Sequence, residues 1–343
     1  MGFSEKIIMW YHHNKRDLPW RKTVDPYQIW LSEIILQQTR VNQGLNYFNK
    51  FIEKHPTVNS LAQSSEKDIL NLWQGLGYYS RARNLHFTAK YISNELNGKF
   101  PTEYKDILNL KGVGEYTAAA ISSFSYNQSY PVIDGNVYRV LSRIFGIENP
   151  IDSNEGKKIF KKLANELIDD KNPSTYNQAI MEFGALQCTP KKPNCESCPY
   201  RLECFAYTND VIAELPKKEK KIKQRTRYFN YLVVIHDDSI YLNERTKKDI
   251  WKGLFDFPLL ETKTRLVSFG VINKEFKNLE LTLKQQSTEY KHILSHQKIY
   301  ATFWFTTSNN SQKLKENFIK VSIKEINNYP VPKLIENYLN SIL

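Results

Sequence analysis

The stretch Lys111–Arg143, KGVGEYTAAAISSFSYNQSYPVIDGNVYRVLSR, decides the fold. Gly112-Val113-Gly114 places two glycines around one residue, just before the small-residue run Thr117-Ala118-Ala119-Ala120-Ile121. Two glycines let the backbone turn sharply and approach something bulky. Alanine is the best helix former, so a helix is expected to start just after Gly114. A glycine-rich turn feeding a helix N-terminus offers free N–H groups and a positive dipole end, which suit a phosphate. Further on, Ile133-Asp134-Gly135-Asn136 precedes Val137, Val140, Leu141 and Ile144, whose i, i+3, i+4, i+7 spacing marks a second amphipathic helix. Asp134 stands at its mouth as an N-cap. A capping carboxylate accepts N–H bonds, stays ionised and can face a developing positive charge, so the structural and catalytic readings coexist.

At 343 residues the chain has room for two domains with separate cores. A net charge of +12 and a pI of about 9.2 favour a polyanionic partner, most simply nucleic acid. Residues 1–20 hold no apolar run long enough for a signal peptide or membrane span, and Lys6 breaks the myristoylation pattern. A cytoplasmic protein with no membrane partner is expected.

Residues 1–205 read as mostly α, with helices expected over 4–14, 27–51, 60–73, 80–96, 102–110, 155–168 and 176–186. Glu33 sits inside IWLSEIIL among Trp30, Leu31, Ile34, Ile35 and Leu36. Gly75-Leu76-Gly77-Tyr78-Tyr79 is a second glycine-flanked turn, followed by Arg81 and Arg83, which suit salt-sensitive phosphate contacts. Glu214–Arg227 carries seven basic and two acidic residues and reads as a solvated linker. Beyond it the period falls to two. Strands are expected over 228–235, 239–242 and 299–306, and helices over 282–289 and 331–343, making an α+β domain. The expected division is 1–213, a linker over 214–227, and 228–343.

All four cysteines fall in seventeen residues as Cys188-x6-Cys195-x2-Cys198-x5-Cys204. In a reducing compartment this clustering argues for a metal site over disulfides. Four thiolates accept zinc or a [4Fe–4S] cluster, and the spacing leaves both open.

Together LPWR (18–21), PYQIWLSEIILQQTRV (26–41), LWQGLGYYSRARNL (72–85), GVGEYTAAAI (112–121), VIDGNVYRVL (132–141), NQAIMEFGALQC (177–188) and the cysteine array resemble the adenine DNA glycosylase family. These A/G-mismatch repair enzymes lie within the helix-hairpin-helix glycosylases related to endonuclease III. WKGLFDFP (251–258) and HILSH (292–296) resemble that family's MutT-like second domain. The resemblance implies a multidomain protein: an all-α helix-hairpin-helix domain, comprising a six-helix barrel and a cluster domain, then a smaller α+β Nudix-like domain. It implies a [4Fe–4S] cluster over zinc, and double-stranded DNA carrying adenine opposite 8-oxoguanine or guanine as partner, bound by a monomer. Lys111 stands where the hairpin usually has Pro, and Leu294 where the C-terminal loop commonly has Phe. No glutamate-rich Nudix box is visible, so nucleotide pyrophosphatase activity is not expected.

Cutting a purine N-glycosidic bond requires protonation of the departing base and stabilisation of an oxocarbenium-like sugar. Two carboxylates in different environments divide that work. Desolvation suits Glu33 to be the general acid at adenine N7. Asp134 suits electrostatic stabilisation of, or attack at, C1′, with Asn136 orienting it. Tyr116 occupies the position where bifunctional relatives carry a Schiff-base Lys, so no efficient lyase step is expected. The resemblance assigns the adenine pocket to Trp20, Arg21, Leu36 and Gln178. Gln38, Leu76 and Tyr78 fall to the DNA gap beside the estranged base, where a flipped nucleotide leaves room for stacking. Gly112 and Gly114 fall to a phosphate, and His292, Ser295 and His296 to 8-oxoguanine.

Overall fold

The computed structural model describes residues 2–219 and 224–343, with Ser311 by its backbone alone. Lys220, Lys221, Ile222 and Lys223, the centre of the basic linker, lie outside the described residues. The chain divides into two compact units, Met1–Gln63 with Asn84–Lys220, and Ser64–Arg83 with Lys221–Leu343. No helix among the described residues is long and apolar enough to cross a membrane.

No described residue of the first unit lies in a strand. Its helices are α1 (Phe3–Asn14), α2 (Pro26–Leu36), α3 (Val41–Lys54) and α4 (Val58–Gln63). The α5 helix (Glu66–Leu72) belongs to the second unit, and α6 (Ser80–Glu95) follows. After these come α7 (Tyr104–Leu108), α8 (Glu115–Tyr126), α9 (Gly135–Phe145), α10 (Asn154–Leu167), α11 (Pro173–Leu186) and α12 (Phe205–Thr208).

The single helix expected over 27–51 is two. The break lies at Gln37–Arg40, where Gln38 takes φ 57°. Apolar residues resume on a compatible face after the break, so the periodicity concealed it. The helix expected over 60–73 is likewise split. Ser65 caps α5 by accepting the Asp68 N–H at 3.1 Å, a role serine plays better than continuing a helix. Eight of the eleven residues of α2 are buried, Glu33 among them. The core joins α1, α8, α9, α10 and α11 through Ile7, Ala120, Val137, Val140, Leu141, Phe160 and Phe183.

The turn between α7 and α8 forms as expected. Gly112 has φ +85°, and α8 starts at Glu115 with Gly114 as its cap. Asp134 caps α9.

The second unit is a sheet with helices. Its strands are β1 (Arg225–His236), β2 (Ser239–Glu244), β3 (Phe255–Asp256), β4 (Leu259–Thr262), β5 (Leu281–Gln286), β6 (Tyr290–Ile293), β7 (Gln297–Ser308) and β8 (Ile319–Ser322). The order is β3-β2-β1-β7-β5, with β4 on β1, β6 on β7 and β8 on β2. β1 and β7 run parallel, Arg225–Val234 against Gln297–Thr306; the other pairs are antiparallel. The helices α13 (Phe269–Glu275), α14 (Ser311–Asn317) and α15 (Lys333–Ile342) complete it. The helix expected over 282–289 is instead β5. Lys and Gln there suggest a helix, but pairing with β7 overrides that local preference.

Residues 64–83 join this unit, contrary to the division drawn from sequence, because they are tied to its C-terminal part. Asn71 Nδ2 donates to the Asn328 carbonyl at 3.0 Å, and the Lys67 ammonium stands 3.7 Å from the Tyr329 ring centre.

At Gly112 an added Cβ would lie 2.8 Å from Asn84 Cβ, on a left-handed backbone; at Gly114 it would meet nothing within 4 Å. Gly112→Ala is therefore expected to lose about 1–3 kcal/mol of stability, and Gly114→Ala less, up to about 1 kcal/mol for the poorer helix cap. Urea unfolding of both variants checks this; equal losses would contradict the turn geometry.

Candidate active site

One cavity of the first unit is lined by Glu33, Tyr116, Asp134, Asn136, Trp20, Arg21, Leu36 and Gln178, so residues far apart in sequence meet as expected. Glu33 reaches it from the middle of α2 and is 5 % exposed. Burial pushes its carboxyl up to about 7. The nearby Asp134 adds to that rise, while a hydrogen bond from the Tyr116 hydroxyl and the more distant Arg21 pull it back. Burial and the two acids in turn hold the Tyr116 phenol well above its ordinary range. Its hydroxyl also faces Met181 Sδ at 3.8 Å.

Asp134 arrives through its capping geometry. Its Oδ1 accepts the N–H groups of Asn136 and Val137, each at 2.8 Å, and its Oδ2 accepts Asn136 Nδ2 at 2.8 Å. Burial raises its pKa; these three donors and Arg139 oppose the rise. Asn136 is held in turn, since Arg139 Nη2 donates to its Oδ1 at 2.8 Å. Arg139 also donates to the Gly184 carbonyl and, through Nε at 2.7 Å, to the Cys188 carbonyl.

Arg21 is committed inside the protein. Its Nη1 and Nη2 reach Glu182 Oε1 and Oε2 at 2.9 and 2.7 Å. Arg16 grips the same carboxylate through Nε and Nη2 at 2.9 and 2.6 Å. The two guanidiniums outweigh the burial of Glu182, whose side chain is 1 % exposed, and lower its pKa to about 2. Trp20 packs edge-to-face on Phe48 with centroids 5.2 Å apart. Gln178 Oε1 accepts the Tyr11 hydroxyl at 2.7 Å. Sequence reasoning missed Glu182, Arg16 and Tyr11. The available signal for Glu182 was an acid set in the apolar run Ile180-Met181-Glu182-Phe183, the same signal that marked Glu33.

Other expected residues lie elsewhere. Gln38 is exposed at the α2–α3 break, and Gly112 and Gly114 form the hairpin. Leu76, Tyr78, Ser295 and His296 line a separate cavity of the second unit, where the Tyr78 hydroxyl donates to Ser295 Oγ at 2.8 Å. His292 does not belong to that polar group. Its ring packs against Trp251 at 5.7 Å, and burial lowers its pKa. Arg81 is a brace, not a free cation. It donates to the Leu76 and Gly77 carbonyls at 3.3 and 3.2 Å over the Trp73 ring, and burial brings its pKa down to about 10. Arg83 is likewise engaged by the Lys252 carbonyl.

The four cysteines line one common cavity of the first unit as free thiols. The buried Arg143 stands beside them, with Nη1 3.5 Å from Cys188 Sγ. No group of three or more His, Cys, Asp or Glu among the described residues is set to hold a single metal ion.

Comparison with known proteins shows the family. Residues 31–166 match the HhH-GPD superfamily of base excision DNA repair proteins, and residues 230–341 match the NUDIX domain. An adenine DNA glycosylase of Buchnera aphidicola (subsp. Schizaphis graminum) is 38% identical over 98% of this chain and 97% of its own length. The chain belongs to the adenine DNA glycosylase family. The Arabidopsis thaliana member is 34% identical over 86% of this chain and 55% of its own length. Among solved structures, a thermostable thymine-DNA glycosylase superposes with TM-score 0.56 at 31% identity, covering 60% of this chain and 95% of that one. An endonuclease III–DNA complex shares the fold, at TM-score 0.53 and 19% identity, over 61% of this chain and 94% of that one. As an adenine DNA glycosylase the protein is a hydrolase of base excision repair that acts on DNA.

Glu182 tests the site's framework. Its pKa is depressed, so the pairing stabilises the protein above the ordinary glutamate value of 4.5, and this is lost as pH falls toward about 2. Glu182→Gln is expected to cost about 3 kcal/mol near neutral pH by leaving Arg16 and Arg21 unpaired. The gap from wild type should close at low pH. A pH-independent gap in thermal unfolding would contradict the ion-pair reading.

Proposed function

We propose that this glycosylase flips adenine out of a duplex in which it faces 8-oxoguanine or guanine, and removes it by hydrolysis with Glu33 as the general acid. The observation that carries the reading is a buried carboxyl with a pKa of about 7 sharing one cavity with a second carboxylate held by three N–H donors. At neutral pH a substantial fraction of Glu33 is protonated. It gives its proton to adenine N7, and the N9–C1′ bond breaks with its electron pair going to the base. Asp134 faces the positive charge that develops at C1′, as an electrostatic partner or by bonding to it. The Asn136–Arg139 bonds hold Asp134 in place. Glu33, now ionised and stabilised by the Tyr116 hydroxyl, takes a proton from the water whose hydroxyl ends on C1′.

Trp20, Leu36 and Gln178 line the adenine pocket, and the Arg21–Glu182 pair forms part of its wall. Tyr116 cannot form an imine, so the strand is left uncut. The hairpin N–H groups after Gly112 and Gly114 take a backbone phosphate. Gln38, Leu76 and Tyr78 occupy the gap left by the flipped base, and the Ser295–His296 tip reads the opposite base. The enzyme acts as a monomer, with base removal in the first unit and reading of the opposite base in the second.

Cys188, Cys195, Cys198 and Cys204 would hold a [4Fe–4S] cluster, which would brace the 188–204 loop that Arg139 and Arg143 of α9 already hold by its carbonyls. The donor set fits, because all four thiols line one cavity whose lining holds no His, Asp or Glu among the described residues. Iron and acid-labile sulfide in equal amounts are expected in anaerobically purified protein; zinc without sulfide would overturn this.

Glu33→Gln is expected to bind the lesion duplex yet lower single-turnover adenine release by at least about 100-fold. Wild-type release should fall as pH rises through about 7, because the acid must be protonated. Ordinary turnover by Glu33→Gln, or a rate that rises through neutral pH, would sink the assignment. Breaks that appear without alkali would contradict the hydrolytic, non-lyase step.

A further inference from the structure

We propose that Arg227 is a positioning residue for opposite-base recognition, locking the Leu294–His296 tip to the loop that carries Trp251. This rests on the reading that the tip faces the base opposite adenine.

The tip joins β6 to β7 and is closed by Leu294 N–H donating to the Gln297 carbonyl at 2.8 Å. It lines the second unit's cavity together with Tyr78 and Trp251. The Arg227 guanidinium, its side chain 5% exposed, bonds to Asp249, one of the residues lining that cavity. Nη1 and Nη2 donate to Asp249 Oδ1 and Oδ2, both at 2.8 Å. Nε and Nη2 donate to Glu261 Oε1 and Oε2 at 2.8 and 2.6 Å. Nη1 also reaches Gln297 Oε1 at 3.2 Å. Gln297 is the foot of the tip, and Asp249 stands two residues before Trp251. One planar group therefore joins both walls, a geometry that lysine cannot copy.

The loop is fixed from its other end by Arg245, whose Nη2 reaches Asp249 Oδ2 at 3.1 Å and whose Nε reaches the Ile250 carbonyl at 3.1 Å. Trp251 is held in the left-handed region at φ +62°, which a bulky residue adopts only when its surroundings impose it. Its ring packs edge-on against His292, on the strand leading into the tip, at 5.7 Å. Framework ion pairs alone would account for Glu261. They do not account for a single guanidinium that bonds the foot of the tip and the strained loop together.

The test is the ratio of single-turnover adenine release opposite 8-oxoguanine to that opposite guanine, measured on the full chain. Arg227→Met and Asp249→Asn should each reduce this ratio by about tenfold, as expected when a recognition group is displaced. Arg227→Lys should fall between them and wild type. Asp249→Asn is isosteric and decides the matter if Arg227→Met does not fold. A wild-type ratio retained by folded Asp249→Asn and Arg227→Lys overturns this inference alone. A wild-type enzyme that shows no preference between the two partners overturns the opposite-base reading with it.

Discussion

The cost of burying a carboxyl group is the constraint on which the first unit depends. Glu33 sits in a helix with almost no exposed face, so it is driven toward its neutral form, and every neighbouring polar group modulates that outcome. Tyr116 favours the ion, Asp134 disfavours it, and the balance falls where a proton can be both given and taken back near neutral pH. The same desolvation that would be a defect in a structural residue makes this one an acid.

Glu33 and Glu182 show how far such a reading extends from sequence. Each is a glutamate in an apolar helical run, and each ends up buried. One has its pKa raised to about 7 and the other has it lowered to about 2. The difference is two arginines, Arg16 and Arg21, delivered by the loop after α1, and nothing in either local sequence announces them. Asp134 was legible because capping is local: the carboxylate, the glycine after it and the helix it starts are contiguous.

The architecture was legible to the same extent. The glycine hairpin, the helical first part, the cysteine loop and the α+β second part all follow from periodicity and spacing. Interruptions inside helices were not, because apolar periodicity carries across Gln38 and Ser65 while the backbone does not. Residues 282–286 were misread for the opposite reason, since their strand state comes from β7, a partner distant in sequence. Arg81 and Arg83 looked like free cations and are instead spent on backbone carbonyls, which composition cannot reveal.

The most direct test of this account is the ionisation of Glu33 itself. Carboxyl-labelled glutamate followed by carbon NMR across pH, with Glu33 assigned by its disappearance in Glu33→Gln, gives the midpoint without recourse to turnover. The account predicts a midpoint at about 7. A midpoint at the ordinary glutamate value of 4.5 would mean that the group is ionised throughout the working range, and that the proton for adenine comes from elsewhere.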